Sequence, residues 1–243
     1  MWGHFKARDM GEPEWFLGIH IIRDRAAGTI TLSQRQCATT VVERYGMGDD
    51  NPTMLSMPVS SRLQREGTAL EGANKAAYPD MIGALLYFAT STRPDIAYTV
   101  ARLARYTAAP TEAHRALLKG VLRYVKGTQN WGLTYRRDAS LTGYTDADFA
   151  GDLDTRRSTA GFVSTLNGAA VAWASKAQAT VAAFTTEARV YCRRTWRARG
   201  AVTGAAAAGR RCAGGGVGTD VRRQPSGADA DQEPDERQPV QAH

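Results

Sequence analysis

The end of the chain lacks the residues that build a core. From residue 189 to 243 there is no Leu, Ile, Met, Phe or Lys, and Arg, Ala, Gly, Asp, Gln and Pro take over. A segment of that composition buries too little apolar surface to offset the entropy of ordering, so disorder is expected. Cysteine is scarce as well. Cys37, Cys192 and Cys212 have neither disulfide-framework nor metal-site spacing, which argues against a stapled fold or a compact zinc module and makes a reducing compartment the default. No apolar run approaches bilayer-spanning length, so no membrane partner is expected. The start, Met1-Trp2-Gly3-His4-Phe5-Lys6, has no signal-peptide core.

What is present, up to about Phe184, is an ordinary globular mixture. The 243 residues are 43% hydrophobic, enough for one large or two small domains, and the net charge of +7 favours an anionic partner, nucleic acid first. Trp15 to Asp24 and Thr29 to Leu32, separated by Ala27-Gly28, predict a hairpin. Gln34 to Tyr45 predicts a helix that stops at Gly46. Residues 47–77, with Pro52, Pro58, Gly67 and Gly72, predict a linker or long loop.

Tyr78 to Thr128 is the most helical stretch. Tyr78-Pro79-Asp80 is expected to open one helix, Arg93-Pro94-Asp95 to break it and start a second, and Pro110-Thr111 to start a third, with Thr111 as N-cap and Gly127 as stop. On the third, Leu117, Leu118, Val121, Leu122 and Val125 form the apolar face. Arg115, Lys119, Arg123 and Lys126 line one stripe at helical spacing. Such a stripe is commonly a solvated face. All four charges are positive, however, and they repel unless an anion is near, so phosphate contact is the functional alternative.

Trp131 to Tyr135 is expected to be a strand leading into a second unit, followed by Leu141 to Phe149, Gly161 to Leu166 and Ala169 to Ser175, with Asn167-Gly168 as a hairpin turn. A helix follows near Thr185-Thr186-Glu187. The first of these strands carries Gly143-Tyr144-Thr145-Asp146-Ala147-Asp148-Phe149-Ala150-Gly151. Strand alternation puts Tyr144, Asp146 and Asp148 on one face. Neighbouring carboxylates repel and lower strand propensity, so the segment is either an Asp-rich turn or a cation site.

The ordered motifs carry a family resemblance. They are Trp15-Phe16-Leu17-Gly18-Ile19, Tyr78 to Tyr87 (YPDMIGALLY), Thr92-Arg93-Pro94-Asp95-Ile96, Pro110-Thr111-Glu112-Ala113-His114, Leu122 to Thr128 (LRYVKGT), GYTDADFAG, Asp152 to Gly161 (DLDTRRSTAG), Trp173-Ala174-Ser175-Lys176 and Thr185-Thr186-Glu187-Ala188. Together, over roughly residues 5–188, they resemble the C-terminal part of a copia-type retrotransposon Pol polyprotein. The resemblance implies an α+β chain. Residues 1–46 would be the end of a reverse-transcriptase palm, 47–77 a linker, and 78–130 a helical thumb-like or connecting region. Residues 131–188 would be a truncated ribonuclease H-like domain built on a three-stranded meander, and 189–243 a disordered tail. The implied partner is an RNA–DNA hybrid or other nucleic acid, and the implied location is intracellular, in cytoplasm or nucleus.

The family's polymerase aspartates lie upstream of this match, and Asp49-Asp50, which follows a helix rather than an apolar strand, is not that motif. Polymerase activity is therefore not expected of this chain. In ribonuclease H, carboxylates hold two Mg²⁺ ions that activate water and stabilise the leaving oxygen. The resemblance makes Asp146 the first ligand and places Asp148 in the same pattern. The family's next ligand, the second Glu of Thr-Glu-Ala-Glu-Tyr, is Arg189 here. Glu187 lies about 200° away around the helix and is a doubtful substitute.

The break at residue 189 suggests a reading-frame change. Codons compatible with Arg189 to Ala201, read one base later, can give Glu-Tyr-Ile-Ala-Ala-Ala-Arg, which continues the family's helix. Codons for Arg223-Gln224-Pro225-Ser226, read in the same phase, can give Asp-Asn-Gln-Ala, the start of the family's next ligand segment. The tail is thus expected to be an out-of-frame translation. Three functions follow as expectations: a catalytically inactive Pol fragment, a Mg²⁺-dependent ribonuclease H, or a non-catalytic nucleic-acid binder using Arg115, Lys119, Arg123 and Lys126. The strands at 141–188 are expected to be poorly stable alone.

Overall fold

The computed structural model describes residues 11–58, 61, 63–137, 140–192 and, for the backbone, 220–222. β1 (Trp15–Phe16), β2 (Ile19–Asp24) and β3 (Thr29–Ser33) form an antiparallel ribbon, with Gly28 at φ +64° in the hairpin turn. α1 (Arg35–Arg44) follows and ends before Gly46, whose φ of +68° suits the left-handed exit of a helix.

α2 (Gly72–Ser91) begins earlier than Tyr78-Pro79 suggests. Its first turns are exposed and run through Pro79, so the helix extends into residues expected to be loop. Pro79 removes one ladder hydrogen bond. Tyr78 next to it is fully buried and donates its hydroxyl to the Leu103 carbonyl at 3.0 Å, which holds the segment. The rest of the expected linker is also less loose than its composition implies: Met47, Leu63 and Leu70 are buried in the helical core.

A 3₁₀ turn (Pro94–Ile96) leads into α3 (Ala97–Ala104). α4 (Glu112–Gly127) starts at the expected N-cap: the Thr111 hydroxyl accepts from the His114 N–H while the Thr111 N–H donates to His114 Nδ1, 3.0 Å away. Leu118, Val121, Leu122 and Val125 of α4 pack with Leu85, Phe88, Ile96, Val100 and Leu103 in one core. Arg93 is buried at its edge. It pairs with Asp95 at 2.7 Å, donates to the Thr128 carbonyl at 3.2 Å, and lies over the rings of Tyr124 and Trp131. Two of the sequence motifs thus meet as packing partners.

β4 (Gly132–Tyr135) corrects one expectation. It does not open the second sheet but completes the first, in the order β1-β2-β3-β4, with Leu133 opposite Leu32. Gly132 permits this, since a Cβ there would collide with the Leu32 carbonyl. The second sheet is the expected meander: β5 (Leu141–Ala147), β6 (Thr159–Leu166) and β7 (Ala169–Ala177), all antiparallel. Asn167 and Gly168, both at positive φ, make the tight turn between β6 and β7. α5 (residues 185–192) follows. β8 (Asp220–Arg222) pairs in parallel with Thr142–Tyr144 and gives the order β7-β6-β5-β8. Within the tail expected to be disordered, then, residues 189–192 are helical and 220–222 are a strand; residues 193–219 and 223–243 lie outside the described residues. The fold is mixed α and β with two sheets, and the second sheet leans on α3 through β7.

Candidate metal centre and nucleic-acid face

Register fixes which side chains share a face of the second sheet. Tyr144 pairs with Val163 and Val163 with Trp173; Asp146 pairs with Gly161 and Gly161 with Ser175. Tyr144, Asp146, Val163, Trp173 and Ser175 therefore point to the same side. That side faces the helices: the Trp173 indole N–H donates to the Ala89 carbonyl of α2 at 2.6 Å. Between the sheet and the start of α3 lies a cleft of about 410 Å³, lined among others by Ala97, Tyr98, Tyr144, Asp146, Asp148 and Trp173. The opposite side is covered by α5, whose Cys192 thiol donates to the carbonyls of Asp146 and Gly161, each 3.1 Å away. Burial pushes the Cys192 thiol above its ordinary pKa.

Of the expected ligands, only Asp146 opens on the cleft with an uncommitted carboxylate: it is exposed and has no side-chain hydrogen bond or ion pair among the described residues. Asp148 lies beyond the end of β5 rather than within it. Its N–H donates to the Thr159 carbonyl at 3.1 Å and its carboxylate accepts from the Thr159 N–H, so it closes the loop between β5 and β6. Glu187 turns back on its own helix and accepts from the Ala183 N–H at 2.8 Å. No group of three or more His, Cys, Asp or Glu among the described residues is placed to hold a metal ion. Hard-cation sites need several converging oxygens, and Asp146 with a committed Asp148 does not supply them. The described residues do not fit a two-Mg²⁺ site.

The basic stripe of α4 is partly engaged in the fold. Arg123 donates to the Asn51 carbonyl at 2.7 Å, and Lys126 donates to the carbonyls of Gly48 and Asp50. Arg115 lies 4.0 Å from Glu112 one turn earlier. Lys119 is half-buried between them.

The DLDTRRSTAG motif has a role that its residue types alone did not reveal. It is the loop that fastens the second sheet to α3. Asp152, buried, pairs with Arg105 at 2.8 Å; Tyr106 donates its hydroxyl to Asp154 at 3.0 Å; Arg102 donates to the Gly151 carbonyl at 3.4 Å. Burial opposes ionisation of Asp152, but donors from Thr155, the Asp154 and Thr155 amides and the Arg105 charge outweigh it, and its carboxyl titrates below the usual range. Tyr106 is pushed up to about 12 by burial and by Asp154. Two acids spaced two apart, following a glycine, signal a loop of this kind; their partners just after α3, Arg105 and Tyr106, lie too far away in sequence to be named from it.

No family model and no solved structure matches the chain. Curated sequences do. Over 192 residues, 76% of this chain, it is 38% identical to the retrovirus-related Pol polyprotein from transposon TNT 1-94 of Nicotiana tabacum, of which the match spans 14%. It is 37% identical over 187 residues to the corresponding polyprotein from transposon RE1 of Arabidopsis thaliana, spanning 12% of that protein. An uncharacterised mitochondrial protein of Arabidopsis thaliana is 37% identical over 185 residues, 75% of each chain. The chain is thus similar to one segment of the retrovirus-related Pol polyproteins of transposons and spans about an eighth of their length.

Proposed function

We propose that this segment is the copia-type Pol region in which the end of the reverse transcriptase meets a truncated ribonuclease H, and that it is catalytically silent as it stands. The observation that carries the reading is the dispersal of the expected ligands. Asp146 faces the cleft, Asp148 is bound to the Thr159 amide, and Glu187 caps its own helix. A two-metal hydrolase needs these carboxylates around one point.

The out-of-frame origin of residues 189–243 belongs to the same reading. Codons compatible with the chain from residue 189 onward, read one base later, can supply a Glu at position 189 and an Asp at position 223. The test is hydrolysis of the RNA strand of an RNA–DNA hybrid in Mg²⁺. The chain as given is expected to cleave at background, and the frame-restored chain to cleave and to lose that activity on Asp146→Asn. Cleavage by the chain as given, abolished by Asp146→Asn, overturns the proposal. So does a gene whose codons from 189 cannot be read in that phase.

A further inference from the structure

We infer that the cleft between the second sheet and α3 is a guanine-base pocket, with the Asp146 carboxylate taking the two adjacent N–H groups of the base. The inference deepens the Pol reading by naming what the cleft around the surviving aspartate recognises.

The cleft encloses about 410 Å³, within the range of small-ligand sites. Tyr98, Tyr144 and Trp173 line it, and aromatic rings are the platforms on which nucleobases stack. Trp173 is fixed by its bond to Ala89, and Tyr98 by a hydrogen bond from Arg102 at 3.1 Å, so these two rings are set before a ligand arrives.

The polar groups select the base. An ionised carboxylate only accepts, through two oxygens side by side. Guanine alone among the common bases presents two neighbouring donors, the ring N–H and the exocyclic amine, on its pairing edge. Adenine and cytosine place a ring acceptor beside their amine, and uracil flanks its one N–H with carbonyls. Those three would each set an acceptor against Asp146. A second observation is independent of the acid. Thr159, also lining the cleft, is buried, and its hydroxyl has no hydrogen-bond partner among the described residues. A buried hydroxyl left unpaired is costly, and a guanine carbonyl is an acceptor it could serve. The net charge of +7 supplies the attraction for the phosphates that accompany a base.

The test is calorimetric titration of the full chain, in EDTA, with guanosine, adenosine, cytidine and uridine 5′-monophosphates. A parallel arm uses oligothymidylates with and without one guanine, to separate a free nucleotide from a base in a strand. Guanosine monophosphate is expected to bind at least roughly tenfold tighter than the other three, the discrimination one bidentate pair provides. Asp146→Asn should abolish the guanine preference and shift it toward adenine and cytosine, because its amide sets a donor beside an acceptor. Thr159→Val should weaken guanine binding with the far-UV spectrum unchanged. Equal binding of the four nucleotides by the unaltered chain overturns the inference without recourse to any variant, as does a guanine preference that survives Asp146→Asn. These outcomes separate from those of the cleavage assay. Hybrid cleavage would overturn catalytic silence and leave a metal-free guanine preference intact, and absence of that preference would leave silence standing.

Discussion

The indole nitrogen of Trp173 and the backbone carbonyl of Ala89, 2.6 Å apart, join the edge strand β7 of the second sheet to α2. A carbonyl near the end of its helix accepts from no intrahelical N–H, so an indole N–H can satisfy it. Replacing Trp173 with Phe keeps a ring and removes the donor. The expected loss is about 1 kcal/mol of unfolding free energy, read as a lower urea midpoint with unchanged slope.

The Arg105–Asp152 pair is the strongest fastening of the acidic loop, because the Asp152 side chain is only 7% exposed. Arg105→Ala leaves that carboxylate buried without its cation. The cost should be about 2 kcal/mol, below the figure for a fully buried pair, since Arg105 remains partly solvated. The folded-state pKa of Asp152 is depressed. Its contribution is therefore complete above the unfolded value of 3.8 and is lost as pH falls through the lower folded value. Stability measured from pH 5 downward should fall less steeply for Asp152→Asn than for the unaltered chain.

His114 titrates in a different window. Burial lowers its pKa from 6.5, and its ring accepts from the Thr111 N–H in the neutral form. Between the folded value and 6.5 the unfolded chain binds a proton that the folded chain refuses. Stability is thus full above 6.5 and declines as pH drops below it. His114→Asn should flatten thermal midpoints between pH 7 and 5, at the cost of the stacking against Tyr106. Thr111→Ala, which removes the cap oxygen, should cost about 1 kcal/mol at every pH.

The four cations of α4 should separate by role. Lys126→Ala frees the carbonyls of Gly48 and Asp50, and its expected effect is on stability, about 1 kcal/mol. Arg115→Ala with Lys119→Ala leaves those tethers alone. If the stripe meets phosphates, that pair should lower the salt dependence of hybrid binding by about one logarithmic unit of slope per lost contact. A slope equal to that of the unaltered chain, from fluorescence anisotropy between low and moderate salt, would remove the stripe from nucleic-acid binding.

Local chemistry explains which elements were legible in the sequence. Asn167-Gly168 needed only two residues tolerant of positive φ, and Thr111 needed only a hydroxyl before an amphipathic run. Both act within a few residues of themselves. Pro79 misled because a proline usually marks a helix start, and here the anchor that holds it inside α2, Tyr78 against Leu103, is a long-range contact. β4 misled for the same reason: nothing in Gly132 to Tyr135 says whether it pairs backward with β3 or forward with β5. At the candidate site, the sequence placed Asp146 on a strand face but could not show that the Asp148 carboxylate is taken by an amide across the loop.

Cys192 is sealed between α5 and the strand that bears Asp146, its thiol held by two carbonyls. An alkylating reagent can reach it only when α5 lifts from the sheet. In a chain carrying Cys37→Ser and Cys212→Ser, the labelling rate of this one sulfur would therefore clock the opening of that helix. The same sulfur thus carries a stopwatch for how firmly the last described turn of α5 is seated on the sheet.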